Sequence, residues 1–151
     1  MDTQRYTWTL RVSTAPQNNA RVFVRQHQFT VGAPVQFDAA YNAISALEYV
    51  LGAIGAEVVN GLQLLARKRL VEIDSIEAVV QGELNNPLVA LGVVGESGHP
   101  GLEKVQMKVY VASLAAAEDI QCLWQEVLAR SPLIRTFQPL IQLDLSLQVV
   151  I

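Results

Sequence analysis

The chain has 151 residues, 51% apolar and 17% charged, with a formal net charge of −3, one cysteine and two histidines. That length suits a single domain, residues 1–151, with a sizeable core. The slightly acidic balance, with no basic cluster beyond Arg67–Arg69, argues against a nucleic-acid partner. One thiol excludes an internal disulfide, two histidines give no credible metal constellation, and no cofactor is implied. The apolar surplus points instead to a large buried interface and an obligate oligomer.

The opening stretch Met1–Arg11 is polar and strand-like rather than a signal peptide, so the cytoplasm is the default expectation. Arg5–Ser13 alternates Tyr6, Trp8, Leu10 and Val12 with polar residues, the pattern of a half-buried strand. Thr14–Asn19 has turn chemistry. Ala20–Val31 alternates again through Val22, Val24, Phe29 and Val31, as one long strand or two short ones. Arg25 and His27, two apart, would share a strand face. There they are either solvated charges on an edge or, for Arg25, a partner for a buried carboxylate. Gly32–Asn42 reads as loop.

Leu47–Arg67 is the longest apolar run. Leu47, Val50, Leu51, Ile54, Val58, Leu62 and Leu65 recur at helical spacing. Ser45 followed by Glu48 is a capping-box pattern, and Arg67, Lys68 and Arg69 suit the negative end of the helix dipole. About 22 residues would rise about 33 Å, enough to cross a bilayer. Glu48 and Glu57 argue against that, because a carboxylate at mid-bilayer depth is costly, so no membrane partner is expected. Gly52, Ala53, Gly55, Ala56 and Gly61 let another backbone approach, from a second helix or a second subunit. Glu57 has Val50, Ile54, Gly61 and Leu64 as neighbours at one and two turns. Such a carboxylate must find a partner or take up a proton. It is either a rim or interface residue paired with an arginine, or a site residue.

Val71–Leu84 reads as a strand, Asn85–Gly101 as a long glycine-rich loop, and Leu102–Ala112 as a clear strand. Ser113–Arg130 is a second helix with Ile120, Leu123, Trp124, Val127 and Leu128 on its apolar face. Ser131-Pro132 has the form of an N-cap followed by the first helical position, and Leu140–Ile151 is a closing strand. Two helices packed on antiparallel strands make an α+β class. His99, between Gly98 and Pro100, reads as a loop residue. Cys122 has Glu118, Asp119, Gln125 and Glu126 around it. Nearby carboxylates disfavour a thiolate, so it reads as an inert surface thiol.

Ala46–Ala56 (ALEYVLGAIGA), Gly101–Val105 (GLEKV) and Ser131–Ile134 (SPLI), in this order over most of the chain, resemble the OsmC/Ohr family of osmotically inducible and organic-hydroperoxide-resistance proteins. The resemblance implies antiparallel sheets wrapped around two long central helices in an intertwined homodimer, with an active site at the dimer interface. It also implies thiol-dependent reduction of organic hydroperoxides. Aligning Glu48 with the glutamate of the family's central-helix motif puts Glu57 where the peroxidatic cysteine belongs. A second register puts Ile54 there. The second cysteine maps onto Ser131, followed by the retained Pro132. Leu47 stands near the position of the family's catalytic glutamate, and Arg21 and Arg25 are the nearest candidates for its arginine.

Peroxide reduction needs a thiolate that becomes a sulfenic acid and a second thiol to resolve it, which a carboxylate and a hydroxyl cannot supply. Three functions follow as expectations. The first is a homodimeric binding or structural protein of stress response, without thiol peroxidase activity, taking a small apolar ligand at the interface through Glu57, Ser131, Arg25 and Ile54. The second is a non-thiol enzyme using Glu57 as general acid or base and Ser131 as donor or nucleophile. The third is a hydroperoxide reductase, which would require Cys122.

Overall fold

A computed structural model describes residues 4–151. Met1, Asp2 and Thr3, the start of the polar opening stretch, lie outside the described residues. The chain divides into a first compact unit ending at Tyr49 and a second, Val50–Ile151. A helix crosses the division.

In the first unit, β1 (Arg11–Ala15), β2 (Asn19–Val24) and β3 (His27–Val31) form an antiparallel meander. The turn chemistry before β2 occupies Pro16–Asn18, where Gln17 and Asn18 take positive φ of 63° and 60°. The stretch Ala20–Val31 is two strands. Arg25 lies in the turn between them at φ 52°, so it does not share a strand face with His27. The expected strand over Arg5–Ser13 begins only at Arg11. Tyr6 and Trp8 are exposed, Trp8 by 79%, and among the described residues no strand pairs with that stretch. After β3, Gly32 donates its N–H to the Ile44 carbonyl at 2.8 Å, and the Tyr41 hydroxyl accepts from the Ala33 N–H at 2.9 Å. A side chain on Gly32 would sit 2.5 Å from that hydroxyl, so the close approach requires glycine there.

The central helix α1 runs over Ala46–Lys68. The capping box forms as read: Ser45 donates its N–H to Glu48 Oε1 at 3.0 Å, and the Ser45 hydroxyl accepts from the Glu48 N–H at 3.2 Å. By length and composition α1 could cross a membrane. Its apolar stripe is used otherwise, as a core element of the second unit.

That unit holds a three-stranded sheet in the order β4 (Ser75–Leu84), β5 (Leu102–Ala112), β6 (Gln142–Val150). β4 pairs antiparallel with β5, but β5 and β6 are parallel, which departs from the all-antiparallel expectation. The cause is the crossover between them, α3 (Ala117–Arg130) and α4 (Pro132–Phe137), which returns the chain to the same end of the sheet. A one-turn helix α2 (Pro87–Ala90) interrupts the long loop, capped by the Asn86 side chain.

Helices cover one face of this sheet. Ile54, Val58 and Leu62 of α1 meet Met107, Val109 and Val111 of β5 and Ile120, Leu123, Trp124 and Val127 of α3. Each such side chain contributes about 1.5–3 kcal/mol when removed from water. The small residues of α1 divide by role. A Cβ on Gly55 would stand 2.8 Å from Val80, and one on Gly61 3.0 Å from Val127, so these two bring the sheet and α3 close. Gly52, Ala53 and Ala56 face outward.

Candidate functional site

Glu57 lies on the side of α1 that turns toward the junction of α3 and α4. Ser131 is that junction. It caps α4, accepting the Ile134 N–H at 3.2 Å, with Pro132 at the first helical position. Because its lone pair takes that bond, its hydroxyl proton points elsewhere, and it donates to Glu57 Oε1. The Leu133 N–H donates to the same carboxylate, at 3.2 Å to Oε1 and 3.4 Å to Oε2. Ser131 is only 4% exposed.

Glu57 is half-buried, and loss of solvent pushes its carboxyl above the ordinary carboxylate range. The Leu133 N–H partly opposes this by favouring the charged form. The second unit gives it no cation. Among the described residues its ion pairs are Arg69–Glu126, Arg130–Glu126 at 2.7 Å, His99–Glu103 at 3.3 Å and Lys104–Asp144 at 3.3 Å. The partner of Glu57 is therefore a hydroxyl and a backbone amide rather than an arginine of this unit.

The pair forms the polar floor of a groove of about 500 Å³. From α1 come Glu57, Asn60, Gly61, Leu64, Leu65 and Lys68, one stripe at three- and four-residue steps. The opposite wall is Val127 and Arg130 of α3, then Ser131 and Pro132. Leu64 is 66% exposed, an apolar side chain presented to the groove rather than to the core.

The structure thus brings Glu57 and Ser131 together. Ile54 is 1% exposed inside the core and presents nothing to the groove. Arg25 belongs to the turn of the first unit. Cys122 is exposed on α3 and does not line the groove. No sulfur stands among the residues that line the groove. Asn60, Leu64 and Lys68 were legible as the continuation of the Glu57 stripe along α1. Val127 and Arg130 had no local signal connecting them to Glu57. Among the described residues no cluster of His, Cys, Asp and Glu could hold a metal ion.

Neither a protein-family model nor a curated protein sequence matches the chain. Solved structures do. An OsmC-like protein from Mycoplasma pneumoniae is similar at a TM-score of 0.76 and 18% identity, over 97% of this chain and 98% of that one. An organic hydroperoxide resistance protein from Elizabethkingia anophelis is similar at 0.69 and 15%, over 99% and 100%. The organic hydroperoxide resistance protein OhrB of Bacillus subtilis is similar at 0.60 and 14%, over 95% and 98%. At such identities the likeness speaks for architecture along the whole length: this chain has the OsmC-like fold.

Proposed function

We propose that the protein is an OsmC/Ohr relative without thiol peroxidase activity, a cytoplasmic homodimer of stress response whose groove binds a small, partly apolar molecule. One observation carries the reading. Glu57, which takes the first thiol position in one of the two registers of the resemblance (Ile54 takes it in the other), is hydrogen-bonded to Ser131, which takes the second, in an apolar-walled groove. What supports a homodimer is the outward face of α1 at Gly52, Ala53 and Ala56, together with exposed Tyr6, Trp8, Leu10 and Val12. Light scattering is expected to give twice the monomer mass, and native mass spectrometry a co-purified small molecule.

The neighbours from Elizabethkingia and Bacillus are named for organic hydroperoxide resistance. That activity is tested by adding purified protein to cumene hydroperoxide with dithiothreitol or dihydrolipoamide. No peroxide loss above buffer is expected. Loss that vanishes in Cys122→Ser would overturn the reading and make the chain an organic hydroperoxide reductase that uses Cys122.

A second reading, a non-thiol enzyme, is favoured by the raised Glu57 carboxyl, a group poised for general acid or base work. Against it, the Ser131 hydroxyl is buried and already committed as donor and acceptor. Hydrolysis of p-nitrophenyl acetate that disappears in both Glu57→Gln and Ser131→Ala would favour this enzyme over a binding protein.

A further inference from the structure

We infer that the arginine-bearing face of the β1–β3 sheet docks an extended acidic segment of a partner protein, with carboxylates at alternate positions seated on Arg11 and Arg21. This is independent of the groove and of what the groove binds.

No run of basic residues marks this face in the sequence; the meander assembles it. Between Arg11 and Val31 the chain has three arginines and neither Asp nor Glu, although the whole chain holds 14 acidic residues against 11 Lys and Arg. Residues opposite one another in a ladder share a face. Arg11 lies opposite Phe23, which lies opposite Gln28; Ser13 lies opposite Arg21, which lies opposite Thr30. One face of the sheet therefore carries Arg11, Arg21, Ser13, Thr30 and Gln28 around Phe23, and the other carries Val12, Val22, Val24, Phe29 and Val31. Arg25 adds its charge in the turn between β2 and β3. Among the described residues none of the three arginines joins an ion pair.

The face also selects among anions. The Arg11 guanidinium lies 4.1 Å over the centroid of the Phe23 ring. That covers the ring and leaves the N–H edges of the guanidinium free for acceptors. A single-stranded nucleic acid needs an open ring on which to stack a base, and Phe23 does not offer one. A lipid surface needs apolar side chains to insert beside the charges, and those lie on the opposite face. A carboxylate needs only the guanidinium fork, which it meets with two parallel hydrogen bonds. The spacing fits as well. Arg11 and Arg21 are diagonal neighbours on adjacent strands, with Cβ atoms about 7–8 Å apart. Side chains at alternate positions of an extended segment repeat at about 6.6 Å. The net charge of −3 opposes an acidic partner at a distance. Salt confines that repulsion to about 10 Å at 0.1 M, and the arginine contacts act within it.

The test is fluorescence anisotropy on the full chain at low salt with a labelled decapeptide of alternating glutamate and threonine. The glutamine–threonine and lysine–threonine peptides, an oligothymidylate of matched charge and phosphatidylglycerol vesicles serve as comparisons. The acidic peptide is expected to bind best. Arg11→Gln/Arg21→Gln is expected to weaken it about tenfold, and Lys108→Gln/Arg135→Gln, which removes the same charge from exposed positions of the second unit, by no more than about twofold. Arg11→Lys/Arg21→Lys keeps both charges and loses both forks, so a loss of about threefold is expected from it without any change of net charge. Tighter binding of the oligothymidylate or the vesicles would overturn the choice of partner. Equal losses from the two glutamine variants, or no binding of the acidic peptide, would overturn the docking face itself.

Discussion

Glu48 and Glu57 are the same side chain on the same helix, about two and a half turns apart, and their carboxyls are pushed in opposite directions. Glu48 accepts the Ser45 backbone N–H and meets the Ser45 hydroxyl. Both interactions favour its charged form and hold it below the ordinary range. Glu57 accepts comparable bonds, from the Ser131 hydroxyl and the Leu133 N–H, but lies against apolar walls, and loss of solvent outweighs the donors. The hydrogen bonds alone do not assign a role. What separates a helix cap from the floor of a binding groove is what stands behind the carboxylate: water at Glu48; α3, α4 and Leu64 at Glu57.

The largest blow to this difference comes from removing the stripe that presents Glu57. Leu62→Ala is expected to lower unfolding free energy by about 2–5 kcal/mol in urea denaturation, since Leu62 is fully buried between α1, β5 and α3. A change below about 1 kcal/mol would mean that the core does not hold α1 as described. Next comes Ser131→Ala, which removes the cap of α4 and the donor to Glu57 together. About 1–2 kcal/mol is expected, with a loss of groove binding. Ser45→Ala, the matching change at the other carboxylate, should cost about 0.5–1 kcal/mol and leave binding untouched. Equal effects of the two serines on ligand affinity would erase the distinction.

The smallest effect is the sharpest in sign. A raised carboxyl contributes stability that is complete below the ordinary carboxylate range and is lost as pH rises through its folded pKa. Melting temperatures from pH 3 to 8 should therefore show Glu57→Gln gaining on wild type as pH rises. Glu48 works the other way. Its contribution exists above the ordinary range and is lost as pH falls through its lowered pKa, so Glu48→Gln should fall behind wild type toward neutral pH. Parallel curves for the two variants would contradict the opposite environments.

Legibility in the sequence followed the range of the interactions. The start of α1 was readable because Ser45 and Glu48 are three residues apart and settle each other. Ser131-Pro132 was readable as a helix start for the same reason, and Leu102–Ala112 because its alternation has a period of two. The paired direction of β6 was not readable, since alternation is identical in parallel and antiparallel strands. Ala20–Val31 read as one long strand or two short ones, and the sequence did not place the turn at Arg25 because no glycine or asparagine marks its positive φ. The resemblance placed Glu57 and Ser131 at matching positions, while the residues' own patterns gave only an isolated carboxylate and a cap.

By itself the sequence determined the elements, the apolar faces they bury, and the absence of sulfur at Glu57 and Ser131, all of which depend on neighbours within a few residues. Only the tertiary structure decided that Glu57 meets Ser131 across 74 positions of chain, that Ile54 turns into the core, and that Arg130 and Lys68 stand on opposite walls of one groove. The reason is geometric. Side-chain periodicity says which residues of a helix share a face, but which face of another helix lies opposite depends on how closely the backbones approach, and here Gly61 against Val127 sets that approach.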